Sequence, residues 1–167
     1  VAQQLAAQHG ARVSRLSLVC TWLAPDQYLE NFCSLLRDLS RELDDDALRL
    51  RLIDFVALGP RMPERVSLTE IVAEQLAAGP AHPKDAVARQ WDLDRTIDTI
   101  EIASQIRCPT QVMWGSEDRI IPAAQAQALL SRISGATETR LAGVGHCPML
   151  EEPDTFVAAI RAFAEPS

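Results

Sequence analysis

The chain has 167 residues, 47% of them hydrophobic and 23% charged. That is long enough for one ordinary domain with a core, and too apolar for a disordered chain. A formal net charge of −7 argues against nucleic acid or an anionic membrane as the main partner.

Residues Val1 to His9 (VAQQLAAQH) combine helix formers with apolar positions at helical spacing, and Gly10 is placed to end that helix as a C′ residue. Val13 to Cys20 comes next, with Val13, Leu16, Leu18 and Val19 suited to a buried parallel strand. Helix, glycine turn and buried strand make the second half of a β-α-β crossover. From Ala24 to about Ile106 the pattern turns helical. Pro25 precedes a helix with Tyr28, Phe32, Leu35, Leu36 and Leu39 expected along one face. Asp44 to Asp46 put negative charge in the first turn of a second helix, where the helix dipole favours it. Its apolar positions are Leu48, Leu52, Ile53, Val56 and Leu58. Ser67 with Glu70 is a capping-box pattern for a third helix, ending at Gly79-Pro80. Pro83 suits the first turn of a fourth, which carries Trp91.

A short apolar run, Val112 to Trp114, is then closed by Gly115, and Asp118 sits in the loop after it. Pro122 leads into an amphipathic helix closed by Gly135. The strand Thr137 to Leu141 comes next, and Gly143 and Gly145 punctuate the loop that presents His146. A last helix, Pro153 to Ala164, is expected to turn Phe156, Val157, Ile160 and Phe163 inward. In a parallel sheet, reactive side chains sit in the loops beyond the carboxyl ends of strands. Asp118 and His146 therefore fall on one sheet edge, where a carboxylate can orient a general-base imidazole.

Competing residues read as structural. Glu117 is an alternate carboxylate one position off, expected to face away, and Ser116 is a turn residue. His9 ends a helix and His82 precedes a proline. Cys147 adjoins His146, but neighbouring residues rarely aim at one point, and a thiolate needs an electropositive, accessible site. The four cysteines form no C-x-x-C pair and the three histidines are not clustered, so no metal site is expected. Reduced thiols in a cytoplasmic protein are the expectation. No apolar run approaches the roughly 20 residues that cross a bilayer. No basic segment leading into an apolar one marks a signal peptide, in a chain that opens on Val1.

The run RCPTQVMWGSEDRIIP, the run LAGVGHCPMLEE and the opening VAQQLAAQHGARVSRLSLV together resemble the α/β-hydrolase family. The resemblance implies a partial α/β-hydrolase fold: the last three parallel strands with flanking helices, plus an inserted helical cap. Residues 1–23 and 107–167 would be core, and 24–106 the cap. The opening segment is similar to the helix and strand directly after the G-x-S-x-G nucleophile elbow. Neither G-x-S-x-G nor G-x-C-x-G occurs in the chain, so the elbow serine and both oxyanion-hole donors are expected before Val1. By resemblance to serine esterases and enol-lactonases, the parent protein is expected to be a cofactor-free hydrolase of small carboxylic esters or lactones. Asp118 would be its acid and His146 its base, with Trp22, Phe32 and Trp91 walling the acyl pocket. Two alternatives stand beside this: an inert truncated or complementing half, and a dehalogenase or C–C hydrolase of the same layout. Without a neighbour, the strand Val13–Cys20 would leave an open apolar edge prone to self-association.

Overall fold

In the computed structural model, which describes residues 1–165, three parallel strands pair in the order β1 (Leu16–Val19), β2 (Thr110–Gly115), β3 (Thr137–Leu141). Leu18 lies opposite Val112, and Val112 opposite Glu138. The central strand is covered on both faces, with Val112 and Met113 essentially excluded from solvent. On one face, Leu16, Leu18 and Val112 pack with α1 (Ala2–Gln8), α7 (Ile100–Ala103) and α8 (Ala123–Arg132) through Ala6, Ala103, Ala126 and Leu129. On the other, Met113, Leu141 and Val144 meet Phe156 and Ile160 of α10 (Pro153–Ala164). A sheet sandwiched in this way needs apolar residues on successive positions of its middle strand, which is what QVMW nearly supplies.

Between β1 and β2 the chain is helical: α2 (Gln27–Glu42), α3 (Asp46–Ala57), α4 (Arg61–Arg65), α5 (Leu68–Ala78), α6 (Lys84–Asp94) and α7. Local chemistry starts most of the long ones. Asp26 accepts from the Leu29 amide at 2.9 Å, and Asp45 from the Leu48 amide at 3.0 Å. Ser67 and Glu70 close the capping box of α5. Helix α2 packs on α6 and α3 on α5, and Arg37 and Arg41 of α2 reach Asp92 of α6 at 3.2 and 3.1 Å. No helix among the described residues is long and apolar enough to cross a membrane.

Several expectations need correction. Gly10 does follow the C-cap of α1, as expected, but without a positive φ; it opens a 3-10 turn, Gly10–Arg12, and the strand begins at Leu16 rather than Val13. The inward face of α2 is Leu29, Cys33, Leu36 and Ser40, whereas Tyr28 and Leu35 are exposed. The Ser40 hydroxyl donates to the Leu36 carbonyl at 2.7 Å, which satisfies the one polar side chain on that face. Val157 lies on the outer side of α10. The short helices α4, α7 and α9 (Pro148–Glu151) carry too few residues to show a period.

Candidate active site

The carboxyl ends of β1, β2 and β3 converge on one cluster. After β2, Ser116 and Glu117 donate their amides to the carbonyls of Leu141 and Val144, which ties the acid loop to the β3 loop. The Ser116 hydroxyl accepts from the Gly143 amide at 2.8 Å, as a turn residue would, and Glu117 is exposed. The Asp118 side chain is 1% exposed. Its Oδ1 accepts from the Ile120 and Ile121 amides at 2.9 and 2.8 Å. Its Oδ2 stands 2.9 Å from His146 Nδ1. Because a carboxylate oxygen accepts, Nδ1 carries the proton, and Nε2 is the basic nitrogen; no described residue bonds it. An aspartate with one oxygen locked by two amides cannot rotate, so it fixes both the tautomer and the tilt of the ring.

The β3 loop is held just as firmly. The His146 amide donates to the Ala57 carbonyl at the end of α3, at 2.7 Å. Glu151, buried on α9, accepts from the amides on either side of His146. Gly145 donates to Oε1 and Oε2 at 3.0 and 2.9 Å, and Cys147 to Oε1 at 3.2 Å. The same carboxylate accepts from the Gly59 amide at 2.9 Å. One buried acid therefore joins the histidine loop to the turn after α3. Arg119, next to the acid, donates to the carbonyls of Phe55 and Leu58 at 3.0 and 3.3 Å, and the Tyr28 hydroxyl donates to the Arg119 carbonyl. Helices α2 and α3 are thus fastened directly to the functional loops.

Cys20, the first residue past β1, adds a thiol to the cluster. It adopts a positive φ of 45°, and its sulfur lies within 4.8 Å of both a carboxylate oxygen of Asp118 and a ring nitrogen of His146. Burial, and then the negative charge of Asp118, push its pKa far above that of a free thiol, so it stays protonated. Sulfur, oxygen and nitrogen donors this close are a set that zinc can use. Here the aspartate–histidine hydrogen bond engages two of the three. Sequence reasoning missed Cys20 and Glu151. The signal for Cys20 was its place at a strand's carboxyl end; Glu151 had none, since its partners are backbone amides up to 92 residues away.

A cavity of about 410 Å³ opens beside His146, bounded by Trp22, Leu29, Ala57, Trp91, Ile120 and Ile121. Cys147 also borders it, but burial and the charge of Glu151 raise that thiol to about 11, which keeps it protonated. Trp22 and Trp91 are both on the wall. Phe32 stands behind it, edge-on to Trp91 with ring centroids 6.1 Å apart and packed near Ile120 and Ile121. His9 and His82 are exposed and remote from the cluster.

Residues 1–159 match the model of the alpha/beta hydrolase family. Among curated proteins, a pyrrolizixenacetamide deacetylase of Xenorhabdus hominickii is 39% identical over 79 residues, covering 47% of this chain and 29% of that protein. Monoacylglycerol lipase abhd6-B of Xenopus laevis is 26% identical over 165 residues, covering 92% of this chain and 48% of the lipase. Among solved structures, the enol-lactonase of Burkholderia xenovorans LB400 superposes with a TM-score of 0.80 at 22% identity, over 97% of this chain and 60% of that one. The chain spans about half the length, or less, of the curated relatives it matches.

Proposed function

The chain belongs to the alpha/beta hydrolase family, and from that premise we propose that it supplies the acid and base of a Ser-His-Asp triad that hydrolyses small carboxylic esters or lactones. The observation that carries the reading is the 2.9 Å contact between His146 Nδ1 and the buried, amide-locked side chain of Asp118, with His146 on the wall of a largely apolar cavity. The serine and the oxyanion-hole amides lie in polypeptide outside these residues; among the described residues no serine bonds the imidazole. In the assembled enzyme, Nε2 takes the serine proton as the oxygen attacks the acyl carbonyl, and the tetrahedral intermediate collapses as His146 returns that proton to the leaving alkoxide. Water then attacks the acyl-enzyme by the same route, and the acid is released. Asp118 stabilises the imidazolium throughout without taking the proton. Helices α2 to α6 act as a cap over the cavity, with Trp22 and Trp91 as its wall and Phe32 as the support behind Trp91. The activities named for the lipase and the enol-lactonase are of this acyl-transfer kind and support the ester and lactone reading.

On this reading the chain by itself is inert. Intact-mass analysis after fluorophosphonate treatment, with p-nitrophenyl acetate turnover, tests it on the chain alone and on the chain produced together with the polypeptide encoded ahead of it. The lone chain should show neither adduct nor turnover. The longer protein should show a single phosphonylated serine and turnover that His146→Ala abolishes. An adduct on Ser116 or Cys147, or turnover that survives His146→Ala, would sink the reading.

A further inference from the structure

The cavity beside His146 is acidic as well as apolar. Its wall includes Asp54 of α3 and Asp94 of α6, and no lysine or arginine among the described residues lines it. Asp54 Oδ1 accepts only a long bond of 3.4 Å from Gln75, and its Oδ2 is buried with no partner. Asp94 Oδ1 accepts from Gln90 at 2.9 Å. Arg95, the nearest cation in sequence, turns to Asp92 at 3.5 Å and does not line the wall, although its charge reaches Cys33 there and opposes that of Asp94. Both carboxylates act on the cavity itself. Asp94 helps raise the thiol of Cys33 and Asp54 that of Cys147, and both cysteines are wall residues. Burial raises the pKa of each acid. The indole nitrogens of Trp22 and Trp91, on the same wall, are also buried without an acceptor.

Carboxylates set among apolar side chains with no cation bonded to them cost stability, and two of them on one cavity wall call for a reason. The structural helices nearby manage their charges otherwise: Asp92 is bonded by Arg37 and Arg41 at 3.2 and 3.1 Å. A ligand that brings a positive charge into the cavity supplies what Asp54 and Asp94 lack. Its hydrocarbon would lie on Leu29, Ile53, Ile120 and Ile121, and two tryptophans add aromatic surface that attracts a desolvated cation. We propose that this cavity receives an amine-bearing, positively charged part of the substrate, with Asp54 and Asp94 as its specificity residues. The inference rests on reading the cavity as the substrate's, and it sets esters and lactones of basic amines above those carrying a free carboxylate.

The chain as it stands can be titrated with hexylammonium, 1-hexanol and hexanoate, reading the tryptophan indole and histidine ring signals by NMR. Hexylammonium should bind about tenfold more tightly than hexanol, the effect of a charge-assisted hydrogen bond. Hexanoate should show no saturable binding. Asp54→Asn and Asp94→Asn, singly in part and together in full, should bring hexylammonium down to the affinity of hexanol. Unchanged hexanol binding shows that the variants keep the cavity; if the double variant loses it, the single variants decide. Equal affinity for ammonium and alcohol in the unaltered chain, a preference that survives substitution, or no binding by any of the three would overturn the proposal. No turnover is involved, so failure of the triad reading and failure of this one give different results.

Discussion

Asp118 divides its two oxygens between structure and chemistry. Oδ1 is held by two amides and Oδ2 alone faces the imidazole. Asp118→Asn keeps the shape, and the two amides decide how the new side chain sits: its carbonyl oxygen must accept from Ile120 and Ile121. The amide nitrogen then takes the place of Oδ2 and presents a donor to Nδ1, which forces the proton to Nε2 and removes the base. In the assembled enzyme, turnover should fall by roughly 10³–10⁴, and the downfield Nδ1 proton of His146 should vanish from the NMR spectrum of the chain. A variant that keeps that proton would show that Asp118 does not set the tautomer. Asp118 and His146 could be found from sequence because strand-end position and residue type both point to them. Cys20 shares the strand-end position but reads as one of four scattered cysteines, and Glu151 could not be found in that way. A glutamate on a short helix looks like any solvated charge until three amides from two loops are seen to share it.

Among elements, the decisive contact is the docking of the α3 terminus onto the histidine loop, and it depends on glycine. A Cβ on Gly145 would lie 2.4 Å from the Gly59 nitrogen and 2.5 Å from the Ala57 carbonyl oxygen, the same backbone that receives the His146 amide and bonds Glu151. Backbone atoms on both sides cannot yield independently. Gly145→Ala should therefore cost about 3 kcal/mol or more, a fall in Tm of roughly 6–12 °C by calorimetry. Gly10→Ala is the control: no atom lies within 4 Å of the added carbon and φ is not positive, so it should be neutral or stabilise by up to about 1 kcal/mol. Equal losses at the two sites would refute the docking argument. Element boundaries were legible where local signals sit at the ends. The strand Thr137–Leu141 lies between glycines, and the helix from Pro153 starts on a proline; both fall where expected. The inward face of α2 was not legible, because α6 rather than the helix's own largest side chains determines which residues are covered.

For the whole molecule, the sheet ends abruptly at β1. The amides of Leu16 and Cys20 donate toward β2, to the carbonyls of Pro109 and Met113, each at 2.9 Å. In a parallel ladder the residues between, Ser17 and Val19, direct their backbone groups to the other side. No described strand pairs with them there. The side chains along this strand are largely apolar: Leu16 and Leu18 are buried, and Val19 is packed on the Met113 cluster. An uncharged, unpaired edge of this kind is a template for another strand. We expect the isolated chain to associate as its concentration rises, seen as a mass above the monomer in light scattering coupled to size-exclusion chromatography, and to unfold over a broad thermal range. Supplying a segment that carries the upstream strand proposed above should return a single mass and a sharper transition, because the same edge would then be paired within one fold. A chain that stays monomeric at every concentration and melts sharply on its own would mean that the edge of β1 is already protected, and that the pairing expected of a further strand is wrong.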